Sequence, residues 1–169
     1  PSGVGKMLAA VEFARSLLCA GRGCGACTDC RWVSAGHHPG LTVLRHGDDS
    51  RDIKVAQVRE LLRQLSMTSD GRRIILIDEA ERMNEEAQNA FLKTLEEPPD
   101  RCVIVLVSAS PSMLLPTIVS RCQTVLFTPL APAEMAVFMK TLSLAARHAA
   151  LVHALADGLP GRAAQLAPE

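Results

Sequence analysis

Four cysteines, Cys19, Cys24, Cys27 and Cys30, form a C-x4-C-x2-C-x2-C array near the start of the chain. Four thiolates at such spacings complete a closed tetrahedral shell, and zinc, a borderline-soft ion, suits sulfur. A closed shell keeps no position for water, so the expected role is structural: a bound ion would fold an inserted loop, about residues 19–40, that is too rich in turn formers to fold alone. His37 and His38 stand as alternative ligands, although a His pair before Pro39 also fits an ordinary exposed turn. Cys102 and Cys122 lie outside the array and are read as packing residues.

A second set of residues has the chemistry of a nucleotide site. PSGVGK at positions 1–6 fits the latter part of the G-x-x-x-x-G-K-[ST] loop, whose first glycine would lie just before Pro1. In that loop the backbone N–H groups of Gly3, Val4 and Gly5 would wrap phosphates, and Lys6 would reach the outer ones. The next position holds Met7 instead of Ser or Thr. A thioether is a poor ligand for Mg²⁺, which demands hard oxygen, so nucleotide binding is expected to outlast hydrolysis. Further on, IILIDEAERM ends an apolar run in Asp78 and Glu79, an acid for Mg²⁺ and an acid able to polarise water.

The elements that must position these groups alternate between strand and helix. Lys6 to Ala20 has apolar residues at helical spacing directly after the glycine loop. Leu41 to Leu44 reads as a short strand, and Ile53 to Leu65 places Val55, Val58, Leu61, Leu62 and Leu65 on one helical face. Arg73 to Asp78 is the continuous apolar run of a strand buried on both faces. Asn84 caps a helix that stops before Pro98, Cys102 to Val107 is another apolar strand, Pro116 to Ser120 a helical turn and Thr124 to Phe127 a last strand. This order predicts an α/β fold with a parallel sheet covered by helices on both faces. After Pro129 strand signals stop, and Ala133 to Leu166 is helical with a break at GLPG, which predicts a small helical lid.

Composition bounds the function classes. The 169 residues are 48% apolar and carry 18 Lys+Arg against 18 Asp+Glu, enough for a buried core and with no net field to attract nucleic acid or an anionic membrane. With no Tyr and a single Trp, a base-stacking platform is disfavoured. No charged-then-apolar leader opens the chain and no apolar run approaches the length of a membrane span, so a cytoplasmic protein without membrane contact is expected.

Taken together, the incomplete glycine loop, the four-cysteine insertion after its helix, ERMNEEAQNAFLKTLEEPP and LLPTIVSRCQ resemble the clamp-loader subunits of bacterial DNA polymerase III across nearly the whole chain. The resemblance implies a P-loop AAA+ core over 1–129 that lacks its first strand here, a helical lid over 130–169, and a C-terminal collar domain absent from this stretch. It also implies DNA replication as the setting. Ser120-Arg121-Cys122 resembles the family's SRC motif, whose arginine acts in trans on ATP held by a neighbouring subunit. A rigid, permanently charged fork aimed at the γ-phosphate has the right chemistry. Within the family, Met7 and the lid's GLPGR, which places Gly161 where motor subunits have a sensor arginine, favour the delta-prime type. The alternative is the ATP-hydrolysing gamma/tau motor type. Ser108 and Ser110 remain candidates for the sensor-one position. Implied partners are the motor gamma/tau and delta subunits and, through the complex, the sliding clamp and primed DNA. ATP and Mg²⁺ are expected to bind its own site weakly or not at all.

Overall fold

The computed structural model describes residues 1–47, 50–65, 71–142 and 146–167; residues 143–145, within the expected lid helices, lie outside the described residues. By its internal contacts the chain divides into two units, Met7–Thr124 and Pro1–Lys6 together with Val125–Glu169.

Three parallel strands organise the first unit. The strands β1 (Leu41–Leu44), β2 (Arg73–Ile77) and β3 (Cys102–Leu106) pair in the order β1-β2-β3, with Leu44 opposite Ile77 and Ile77 opposite Leu106. Because the register is parallel and nearly unstaggered, the carboxyl ends of all three strands fall at one edge, where ligands of open α/β sheets sit. β2 is central, and its pleat sends Ile75 and Ile77 to one face and Ile74 and Leu76 to the other, all at most 1% exposed. Each such side chain stabilises by roughly 1.5–3 kcal/mol on burial, so the apolar run is the anchor of the fold.

The face with Ile75 and Ile77 is covered by α3 (Val55–Leu65), through Val58, Leu61 and Leu65, and by α4 (Glu85–Glu96), through Ala87 and Phe91. Asn84 caps α4 by accepting from the Ala87 N–H at 2.9 Å, worth about 1 kcal/mol. The opposite face is covered by α1 (Lys6–Leu18), through Ala10 and Ala14, with Val33 of α2 (Thr28–Ser34). Helices therefore lie on both faces, as the alternation predicts.

Two elements differ from expectation. Within the turn-rich stretch after α1, Thr28–Ser34 forms a helix whose N-cap is the Cys27 sulfur, 3.4 Å from the Cys30 N–H. It escapes periodicity because its buried side is only Cys30 and Val33. Thr124 to Phe127, expected as a strand, has no strand pairing, and Val125 and Leu126 are 72% and 83% exposed.

The second unit holds α6 (Pro132–Thr141), α7 (Ala146–Ala156) and α8 (Pro160–Leu166) around Met135, Met139, Val152, Ala156 and Ala163. The Glu134 carboxylate caps α6 by accepting from the Ala131 N–H at 2.9 Å. Between α7 and α8, Gly158 sits at φ +72°, and a Cβ there would lie 2.8 Å from the Leu130 carbonyl. Only glycine fits that close approach.

Candidate functional site: a four-cysteine cluster, an acid pair and an outer arginine

The four cysteines of the insertion converge. Cys19 directly follows α1, Cys24 follows a tight turn, Cys27 caps α2 and Cys30 lies in its first turn, so the end of one helix, a loop and the start of the next bring the sulfurs together. Cys19 Sγ lies 3.7 Å from Cys24 and 3.6 Å from Cys27, Cys24 lies 3.9 Å from Cys30, and all four sulfurs fall within 4.8 Å of one another. Sulfurs held tetrahedrally ~2.3 Å from one ion stand about 3.8 Å apart, so the cluster has the dimensions of a metal-thiolate shell. The Gly25 N–H donates to Cys30 Sγ at 3.3 Å. The backbone N–H groups of Cys24 and Gly23 hold the Cys19 thiol down to about 6, and those of Ala26 and Cys27 lower Cys24. Burial pushes Cys30 up to about 12, a cost that a bound cation would remove by displacing the proton outright. His38 is not drawn into the cluster: its Nδ1 accepts from the Gly40 N–H at 3.0 Å and its Nε2 faces Asp29 at 3.6 Å.

At the carboxyl edge of the sheet, Asp78 and Glu79 leave β2 in the expected place, but they are not alone. Arg45 Nε lies 3.4 Å from Asp78 Oδ2, His46 Nε2 lies 3.2 Å from Glu79 Oε2, and Arg82 Nε donates to the same oxygen at 2.7 Å. Glu79 holds φ 49° and ψ 50°, a left-handed conformation costing about 1–2 kcal/mol for a residue with a Cβ. It turns the chain into the 3₁₀ turn Ala80–Arg82, which brings Arg82 back over the carboxylate. The neighbouring loop after β3 carries Ser108 and Ser110, with the Ser110 N–H donating to Ser108 Oγ at 3.1 Å and the Ala109 N–H to Glu81 Oε1 at 3.1 Å. Sequence reading missed Arg45, His46 and Arg82. The signals were the RH pair directly after the β1 run and an i, i+3 Glu-Arg spacing.

Gly3, Val4, Gly5 and Lys6 fall in the other unit. Gly3 and Gly5 take φ +80° and +91°, a left-handed conformation that glycine adopts without strain. The Lys6 ammonium donates to the Pro1 carbonyl of its own loop, and the Gly161 N–H of α8 donates to the Gly3 carbonyl at 2.8 Å. Met7 packs beside Ala10 and Ala14 in the layer over the sheet, a role that a shorter hydroxyl side chain would not fill.

Arg121 follows α5 (Pro116–Val119). The buried Gln88 ties α4 to the loop before α5, donating to the Met83 and Met113 carbonyls at 2.9 and 3.3 Å and accepting from the Leu115 N–H at 2.7 Å. On that fixed base the Arg121 guanidinium donates to the Thr117 carbonyl at 2.8 Å and to Glu96 at 2.6 Å, with its side chain 35% exposed. Cys122 is half-buried, and burial pushes its thiol up, consistent with packing.

A three-stranded parallel sheet flanked by helices on both faces, with an acid pair following the central strand, defines an α/β domain of the open, doubly covered class. The solved structure of a single-substitution variant of Thermotoga maritima RuvB has the same fold, with a TM-score of 0.64 over 98% of this chain and 50% of that one at 16% identity. The family model described as DNA polymerase III, delta subunit, matches residues 1–131, and the chain belongs to that family. Relatives named DNA polymerase III subunit delta' are 44% identical over 128 residues in Pseudomonas aeruginosa, covering 72% of this chain and 39% of that protein, and 31% identical over 172 residues in Escherichia coli, covering 97% and 51%. The chain thus spans about two fifths to half the length of these curated relatives. Among the described residues no helix is long and apolar enough to cross a membrane.

Proposed function

We propose that this chain is the ATPase-shaped part of a delta-prime clamp-loader subunit that lends Arg121 to the ATP held by a neighbouring motor subunit. The observation that carries the reading is the state of its own acids: Asp78 and Glu79 are already paired with Arg45, His46 and Arg82. Each pair is worth under about 1 kcal/mol at this exposure, so the cations compete with Mg²⁺ for the carboxylate oxygens and weaken the site without closing it. Met7 removes a further oxygen, and Lys6 is engaged with Pro1. The residues present fit Mg·ATP poorly in cis.

Arg121 is paired as well, with Glu96, but keeps donors to spare. It stands at the surface on a rigid base, and a guanidinium has five N–H donors, of which two are used here. Three remain for phosphate oxygens of a partner. In the loader ring, placing this fork on the charge that develops at the neighbour's γ-phosphate would speed hydrolysis, and so support ATP-driven loading of the sliding clamp onto primed DNA.

Two subsidiary readings accompany it. Zinc held by Cys19, Cys24, Cys27 and Cys30 would supply a structural cross-link and no chemistry. A further strand before Pro1 would pair with the β3 edge. The handedness of crossovers supports this: α3 and α4 lie on one face while the chain steps β1 to β2 to β3, and α1 lies on the other while leading into β1. A right-handed crossover on that opposite face must come from beyond β3.

The test is Arg121→Ala in the full-length protein, assembled with its partner subunits. Assembly should survive while DNA-stimulated ATP hydrolysis falls about 10³-fold, the usual worth of an arginine finger. Unchanged hydrolysis would reduce Arg121 to a surface residue.

A further inference from the structure

We infer that Glu96 is the positioning residue for Arg121, fixing the plane of the guanidinium so that its remaining N–H groups face a phosphate of the partner subunit. The inference rests on the reading of Arg121 given above and adds a second residue to that site.

An arginine side chain is long and rotamer-rich, and an unrestrained fork at the surface would sample many orientations. Here it is anchored at two different nitrogens: Nη1 donates to the Thr117 carbonyl at 2.8 Å and Nη2 to Glu96 Oε1 at 2.6 Å. The second is short even for a charge-assisted hydrogen bond. Two anchors on separate nitrogens of a rigid planar group define its plane, where one would leave it free to swing.

Both anchors are themselves fixed. Thr117 lies in α5 and Glu96 is the last residue of α4, and Gln88 joins α4 to the chain entering α5. The geometry is therefore built across two elements far apart in sequence.

The pair has little to do as a stabilising ion pair. Its side chains are 35% and 49% exposed, and exposed pairs of that kind add almost nothing to folding. Orientation is the effect left for it to exert. Nor must the carboxylate leave for the fork to work, because three N–H donors stay available. Water screens part of the carboxylate's repulsion of an approaching phosphate, and Glu96 acts as a positioning residue only if the gain in orientation outweighs the rest.

The experiment compares Glu96→Gln, Glu96→Asp, Arg121→Ala and the Glu96→Gln/Arg121→Ala double variant in the full-length protein assembled with its partner subunits. Kinetics of DNA-stimulated ATP hydrolysis are read alongside assembly by gel filtration. Glu96→Gln should lower kcat about tenfold, as expected for a misplaced catalytic group, and shift KM for ATP by less than about twofold. Glu96→Asp should recover part of the loss, and the double variant should match Arg121→Ala alone. If Arg121→Ala is slow while Glu96→Gln is unchanged or faster, the positioning role is wrong and the reading of Arg121 stands. If Arg121→Ala itself is unchanged, that reading fails and takes this one with it. A Glu96→Gln protein that no longer assembles would mark Glu96 as an interface residue instead.

Discussion

The cysteine cluster and the Asp78-Glu79 pair are both sets of potential metal ligands, yet they face opposite things. Three sulfur pairs stand 3.6–3.9 Å apart and all four sulfurs lie within 4.8 Å of one another, spacings that suit a shared cation. The two carboxylates face Arg45, His46 and Arg82 of the same chain. The ligand types of a metal site are thus present twice, but the second set is already paired with cations of the chain. The lesson is that residue types nominate a site and their existing partners decide whether it is available.

The largest effect is expected from breaking the first set. Structural zinc contributes about 10–16 kcal/mol of binding free energy in small zinc-finger peptides, and Cys30, 1% exposed, would be the ligand least replaceable by water. Purified wild-type protein should carry about one metal equivalent, as a closed four-thiolate shell requires. Cys30→Ser should carry almost none, and limited proteolysis should then cut between residues 19 and 40 while the sheet stays resistant. Elemental analysis together with the cleavage map decides the matter. A metal-free wild type that still resists cleavage there would show that the sulfurs merely pack.

How far these features are legible in the sequence follows from the range of the interactions. Ile74 to Ile77 announce a doubly buried strand because four consecutive apolar residues have no other home, and Asn84 announces a helix start through a contact with Ala87 only three residues on. The cysteine spacing is equally local. Arg45 meeting Asp78, or Arg121 meeting Glu96, joins residues from separate elements, and no periodicity encodes such a meeting. Thr124 to Phe127 illustrates the converse limit. Its apolar run marks an extended segment but cannot name the strand beside it, and Val125 and Leu126 are left exposed.

A middling effect sharpens the comparison at the glycine loop, which is also engaged by its own chain. Gly161→Ala pits two terms against each other. Alanine favours a helix by about 1 kcal/mol over glycine, but its Cβ would stand 3.0 Å from the Gly3 carbonyl oxygen and 3.1 Å from the Gly3 Cα. Both are backbone atoms fixed by the 2.8 Å Gly161–Gly3 hydrogen bond, and overpacking of this kind costs about 1–3 kcal/mol. The net expectation is a loss of about 1 kcal/mol, read as a lower denaturant midpoint at unchanged slope. A stabilised variant would mean that the loop yields easily and that α8 does not hold it.

The smallest effect is expected at Glu79, and it separates the two sets most directly. In a working ATPase the acid after the magnesium ligand is indispensable, so Glu79→Gln would abolish turnover. Here the carboxylate is 45% exposed and bonded to Arg82, and such a pair is worth under about 1 kcal/mol. Glutamine keeps the shape and one acceptor oxygen for Arg82, so thermal stability should change by no more than that. ATP hydrolysis by the assembled loader should keep its rate, because the working ATP is proposed to sit on the neighbouring subunit. A stability loss of several kcal/mol would make the Arg82 pair a structural keystone. A loader slowed as severely as by Arg121→Ala would place active chemistry at Glu79 and erase the distinction between the available set and the committed one.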